Sequence, residues 1–365
     1  MVFVSLVSKQ KKEKQKRMAV AKTWTPTELS LLLNRDNEHK AEYVFSIKET
    51  ILKGSIGDFM TESRAPEEET LEIEYFLVQE KKEASGPIRC LFYSPETGTL
   101  SGLGNGFVEH LDRNLNASKR YRENASPITE ISCFTFKEAK HVSFSHQNGC
   151  VAVYPLESIL SGQEPVHSYK CTLESSVSTT VFSENTLFIA TWEGTVARWS
   201  IENSKNVFSR QVHTDKITGM GTSGSLLVTA SWDGTVRLLQ KDTLKELSVY
   251  STKSAITASV FVEDCVVCFS VDGFVRKIKF GDGKTKKVER TKKTLGWVSK
   301  IHSHSETLSL SSHDGSIVLL EYGTLKTVSV FPCTERKLLA HAWTDTGTIV
   351  AGDDRSQYCL VSVNE

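Results

Sequence analysis

Three groups of side chains in this sequence could do chemistry. The densest carboxylate run is Pro66-Glu67-Glu68-Glu69. Carboxylate oxygens suit a hard divalent cation such as Mg²⁺, but on the residues alone the run reads as a solvated loop. Cys265 and Cys268 form a C-x-x-C inside the strand-like run DCVVCF. Three apart on a strand, their side chains point to opposite faces. No second Cys/His pair accompanies them, so core packing is expected over metal or redox use. His302 and His304 sit two apart without acidic or cysteine partners at ligand spacing, and read as strand residues. No G-x-S-x-G, P-loop or H-E-x-x-H is present, so no enzyme is expected and no cofactor of its own or small-molecule substrate is implied.

Charge is balanced, with 44 Lys+Arg against 44 Asp+Glu, so no bulk charge drives nucleic-acid or membrane binding. Two runs are locally basic. Lys9–Arg17 holds six basic residues and one acid, and Asp282–Lys293 holds six and two. Each fits contact with nucleic-acid phosphates or nuclear import, or else a solubilising hairpin tip and an interblade loop. No interleaved aromatics support base stacking. No apolar run approaches the ~18 residues of a membrane span. The start, MVFVSLVSK, precedes a basic run, the reverse of secretory-signal order. The eight cysteines are scattered, as expected of reduced thiols in a cytosolic or nuclear protein.

The elements that must carry these residues repeat. Seven segments share an apolar strand, a small-residue strand, a tight turn and an alternating strand, among them LFIATWEGTVARWS and LLVTASWDGTVRLL. The turn pairs are Asn105-Gly106, Asn148-Gly149, Glu193-Gly194, Asp233-Gly234, Asp272-Gly273 and Asp314-Gly315, with Arg355 at the seventh turn position. Successive gaps are 43, 45, 40, 39, 42 and 40 residues, the spacing of four-stranded propeller blades. Asn-Gly and Asp-Gly are strong hairpin signals because a two-residue turn needs φ > 0. Ile217, Ile256 and Val298 open their units, each followed by small residues.

The chain thus resembles the WD-repeat family, most clearly at Ser231–Arg237, SWDGTVR. The expected fold is mainly β: a seven-bladed propeller over residues 87–365, preceded by a small α+β unit. Members often carry a buried Asp–His–Ser/Thr–Trp set. Here His213 and Asp233 occur together but Leu239 holds the Trp position, whereas Trp199 holds it one repeat earlier, beside Glu193. The last unit has three strands, so residues 78–86 are expected as a linker and closing strand.

Residues 1–77 read as β-β-α-β-β-β, a ubiquitin-like layout. Thr25-Pro26-Thr27-Glu28 is a capping box with Pro at the first helical position, and Leu29, Leu32 and Leu33 form the apolar stripe. The stretch Glu42–Leu77 resembles the Notchless-like N-terminal (NLE) family through its F-x-I strand, KGSIGDFM and the ending LEIEY. That resemblance implies a ribosome-biogenesis factor for 60S assembly and rRNA maturation in the nucleolus and nucleoplasm. The two kinds of member are the Notchless type and the WD-repeat type of the pescadillo and block-of-proliferation complex; seven units and a short linker favour the second. It further implies block-of-proliferation and pescadillo partners, pre-60S particles with rRNA nearby, and docking on the midasin AAA ATPase. There Glu68, six residues before Glu74 of E-Y, would complete the Mg²⁺ shell of the partner's adhesion site. A generic WD-repeat scaffold, such as a ubiquitin-ligase substrate receptor, is the alternative.

Overall fold

The structure is a computed structural model, described here for residues 2–8, 17–35, 43–47, 50–52, 54–63, 70–77, 79–122, 124–161, 169–202, 205–281, 284–293, 296–345 and 347–363. Its N-terminal part contains strands β1 (Val2–Ser8), β2 (Met18–Val20), β3 (Tyr43–Ile47), β4 (Thr50–Ile51) and β5 (Leu71–Leu77), with helices α1 (Pro26–Leu33) and α2 (Ile56–Ser63). The sheet order is β2-β1-β5-β3-β4, with β1 parallel to β5 and antiparallel to β2. Its core gathers Val4, Leu6, Phe45, Ile47 and Ile73 under Leu29 of α1 and Ile56 and Met60 of α2.

Capping sets both helix starts. Glu28 accepts the Thr25 backbone N–H at 2.8 Å. In α2, Asp58 accepts the Ser55 N–H at 3.1 Å and the Ser55 hydroxyl accepts the Asp58 N–H at 3.1 Å. The second helix was not expected from sequence. Its signal was the reciprocal Ser-x-x-Asp capping box, hidden inside the stretch that carried the family resemblance.

From residue 79 onward the strands form seven four-stranded antiparallel sheets among the described residues. Six are contiguous in sequence, over 88–122, 128–172, 177–211, 217–251, 256–292 and 298–332. The first strands of neighbouring sheets touch in a closed cycle, so the sheets are blades and those strands line the centre. The 45-residue gap between the second and third turns holds a short helix, α3 (Leu156–Leu160), whose Ile159 is buried beside Tyr154.

Every first strand carries a β-bulge at its second residue. The ladder skips Arg89, Thr129, Ser178, Thr218, Thr257, Ser299 and Leu339 in turn. A bulge removes one residue from pairing and re-aims its side chain; here all seven line the central cavity. The small residues of the second strands have a packing reason. A Cβ on Gly102 would sit 2.5 Å from Cγ2 of Ile128, the opening residue of the next blade. A Cβ on Gly352 would sit 2.4 Å from Cγ2 of Ile88, so the seventh blade meets the first as the first meets the second.

The seventh blade takes its outer strand from β6 (Gln79–Glu83), which pairs antiparallel with Gln357–Ser362 in register Gln357↔Glu83 to Leu360↔Gln79. Glu109 of the first blade is fully buried at this seam. Its carboxylate accepts the Tyr358 hydroxyl at 2.9 Å and the Ser85 N–H at 3.2 Å, and pairs with Arg120 Nε at 2.9 Å. A buried carboxylate is tolerated only when so satisfied. Tyr358→Phe is therefore expected to cost about 1.5–3 kcal/mol in urea unfolding, the range for a hydrogen bond to a charged group. Lys140→Ala, which removes the exposed Lys140–Glu96 pair, is expected to cost no more than about 1 kcal/mol.

Candidate functional site

The tight turns and the loops entering the next blade share one face of the ring. Each turn glycine has a positive φ, from +78° at Gly234 to +94° at Gly315. At Gly149, Gly194, Gly234, Gly273 and Gly315 the carbonyl accepts an N–H from the chain leaving the outer strand, as Leu173 to Gly149 at 3.0 Å and Cys333 to Gly315 at 2.9 Å. At Gly315 a Cβ would lie 1.8 Å from the Thr334 carbonyl oxygen, so both dihedral and space demand glycine. The acid or amide before it caps the next strand. Oδ1 of Asn105, Asn148, Asp233, Asp272 and Asp314 accepts the N–H two residues on, at 2.8–3.2 Å. Glu193 is too long for that bond, and the Thr191 hydroxyl accepts the Thr195 N–H at 3.1 Å instead. The seventh turn corrects the expectation for Arg355. The positive φ falls on Ser356, at +72°, while Asp353 Oδ1 accepts the N–H groups of Arg355 and Gln357 at 2.9 and 2.8 Å.

The incomplete tetrads behave as their residues dictate. His213 Nδ1 lies 2.8 Å from Asp233 Oδ2 and its Nε2 lies 2.8 Å from the Thr229 hydroxyl. Burial opposes ionisation of Asp233, but hydrogen bonds from His213 and Thr235 outweigh it and hold the carboxyl far below its usual range. Leu239 closes that set with packing alone. One blade earlier Trp199 is fully buried and its indole N–H has no partner; the strand position matching Thr229 is Ile189, which offers no hydroxyl.

Aromatic residues gather on the turn face. Trp192 and Trp232, each just before a turn acid, are 42% and 38% exposed, and Trp297 is 39% exposed. Trp232 and Trp297 lie 5.4 Å apart, His313 stacks on Trp297 at 6.1 Å, and Lys216 Nζ sits 4.3 Å over the Trp192 ring. Exposed tryptophans in one patch mark protein-binding surfaces. Sequence reading passed over them; aligning the units on their turn glycines puts Trp192 and Trp232 at one shared, outward position.

The other singled-out residues lie elsewhere. Glu67, Glu68 and Glu69 fall outside the described residues, between α2 and β5, as do Lys9–Lys16. Lys284–Lys292 forms the outer strand of the fifth blade, where lysines guard an open sheet edge. Cys265 and Cys268 are buried free thiols, with Cys268 pushed up by burial to about 12. Among the described residues no group of three His, Cys, Asp or Glu could hold a metal. His302 packs against His341 at 4.5 Å and His304 stacks on Trp343 at 4.8 Å. His341 Nε2 and the Trp343 indole N–H both meet the Ser309 hydroxyl at 2.7 Å. These rings join blades six and seven.

No protein-family profile matches the chain. It is 28% identical over 108 residues to eukaryotic translation initiation factor 3 subunit I of Bombyx mori, covering 28% of this chain and 32% of that protein. It is 28% identical over 117 residues to the same subunit of Culex quinquefasciatus, covering 30% and 35%. The chain thus spans about a third of the length of these curated relatives. Among solved structures it is similar to the computationally designed Ika8 protein, with a TM-score of 0.61 at 17% identity over 77% of this chain and 98% of that one. A chain of the mitotic checkpoint complex matches at a TM-score of 0.66 and 13% identity over 79% and 92%. The fold is a mainly β WD-repeat propeller.

The histidine seam predicts a pH dependence. Burial, with His302 and Lys300 nearby, holds His341 well below its usual value. Burial and Lys300 lower His302 to about 4. Between the ordinary value near 6.5 and these native values the unfolded chain binds protons that the folded one does not. Stability is therefore complete above about pH 7 and falls as pH drops toward 4. His341→Gln is expected to flatten the slope of unfolding free energy against pH over that window, by at most about 1.4 kcal/mol per pH unit for the one proton removed, as read from urea titrations at several pH values.

Proposed function

We propose that this chain is a non-catalytic assembly factor for the large ribosomal subunit, acting in the nucleolus and nucleoplasm. Its propeller anchors it to block-of-proliferation and pescadillo partners on pre-60S particles, and its N-terminal unit is the handle on which a midasin-type AAA ATPase pulls. One observation carries the reading: β5 of the N-terminal sheet ends at Leu77, and β6, which closes the propeller, begins at Gln79. Force on the handle reaches the ring through a single intervening residue. The sheet order β2-β1-β5-β3-β4, with Leu29 of α1 packed in its core, supports the ubiquitin-like layout read from the element order. The exposed tryptophan face supports protein binding by the ring.

In this reading the Mg²⁺ belongs to the ATPase, and the carboxylate of Glu68 fills the open position of its ligand shell. The chain supplies a ligand and a mechanical link, and no group that turns over. A second reading, a scaffold subunit of a translation-initiation complex, is favoured by the stretches shared with initiation factor 3 subunit I. The partial span of that match and the N-terminal unit favour the first.

Glu68→Ala is expected to leave co-purification with pre-60S particles intact while weakening binding to the isolated midasin adhesion domain at least tenfold; EDTA should have the same effect on wild type. Equal binding by wild type and variant would remove Glu68 from that role. Recovery of initiation-factor subunits in place of pre-60S proteins would favour the second reading.

A further inference from the structure

The central cavity at the turn face has a volume of about 210 Å³. Its lining includes three cations, Arg89, Lys216 and Lys300, from the first, fourth and sixth blades, and no carboxylate. Among the described residues none of the three forms an ion pair. Glu130, on the inner strand of the second blade, feels the charge of Lys300 but forms no ion pair with it, and its carboxylate accepts the Thr179 hydroxyl at 3.0 Å and the Thr180 N–H. Burial, then Lys300 and Arg89, lower Lys216 to about 8 against a smaller opposing pull from Asp215, so positive charge outweighs negative around it.

The bulged residues add a second feature. Thr218 and Ser299 donate to the carbonyls of Ala230, at 3.2 Å, and Leu338, at 2.6 Å. The buried hydroxyls of Thr129, Ser178 and Thr257 have no hydrogen-bond partner. Unpaired buried hydroxyls are costly and call for an acceptor. Five bulge positions carry hydroxyls and a sixth carries Arg89, so the ring is a collar of donors.

We propose that this collar is a binding site for a phosphate-monoester group presented end-on by a peptide segment of a partner protein. A cavity of about 210 Å³ is smaller than the roughly 300–1,000 Å³ that encloses a whole small ligand, so it takes a group and not a molecule. Lysine, arginine and these hydroxyls offer donors to an acceptor-rich anion. A phosphate presents three acceptor oxygens and nearly two charges; a carboxylate presents two oxygens and one charge. Trp192, on the rim with Lys216 above its ring, would pack against the flanking peptide. A nucleic-acid backbone carries its phosphates as diesters along a chain and does not present them singly end-on. The site does not depend on the ribosomal reading.

The test uses the full chain and fluorescent peptides of one sequence carrying serine, phosphoserine or glutamate at the centre, with inorganic phosphate as competitor. Phosphoserine is expected to bind at least tenfold tighter than serine or glutamate and to be displaced by phosphate. Lys300→Ala and Arg89→Ala should each weaken it about tenfold or more, the loss expected for a charge-assisted bond, with the far-ultraviolet circular dichroism of the folded chain retained. Thr257→Val keeps shape and charge; it should weaken phosphoserine binding several-fold without lowering stability, because the unliganded hydroxyl has no bond to lose. Equal binding of all three peptides, undiminished binding by the variants, or tighter binding of a single-stranded RNA without terminal phosphate would overturn the proposal.

Discussion

A ring of sheets is stable only if its last blade is held as firmly as the others, and here one borrowed strand must do that. β6 supplies the outer edge of the seventh blade, and the buried carboxylate of Glu109 ties Tyr358 of that blade to Ser85 and Arg120 on the other side. Hydrogen bonds to a charged acceptor are worth more than neutral ones, and they leave a larger penalty when broken. The seam is therefore locked by polar contacts over a packing contact, Ile88 on Gly352, of the same kind used between other blades.

The same closure bears on the proposed role: β5 ends at Leu77 and β6 begins at Gln79, so a load on the N-terminal sheet would arrive in a strand of the propeller's own hydrogen-bond ladder. On the other side, the repeated bulge turns seven equivalent residues toward the axis. The ladder needs none of them for pairing, so their identities are free to serve the cavity. That freedom lets a structural repeat carry hydroxyls and an arginine in one collar without weakening any blade.

Much of this was legible because turn chemistry is local. Asp-Gly and Asn-Gly pairs at near-equal spacing specify hairpins whatever their neighbours do, and six of the seven turns fell where they pointed. The seventh had no glycine, and Ser356 in place of Arg355 took the positive φ because Asp353, still on the strand, became the capping acid. The short closing strand was readable as a missing piece of the last unit. Glu109 was not: a glutamate in an alternating strand looks solvent-facing until the partner blade 249 residues away is known. The bulge left only a faint signal, the Ile or Val followed by a small residue. The collar's cations come from three blades, and no one-dimensional spacing brings Arg89 to Lys300. Helix α2 was missed for the opposite reason, since its capping box was plain but read as motif.

Hydrogen exchange measures the closure most directly. The amides of Gln79–Glu83 and their partners in Gln357–Leu360 are expected to exchange as slowly as those of Glu246–Ser251, the outer strand of the intact fourth blade. Exchange of the 79–83 segment at the rate of a free peptide, with the other blades protected, would contradict the closure.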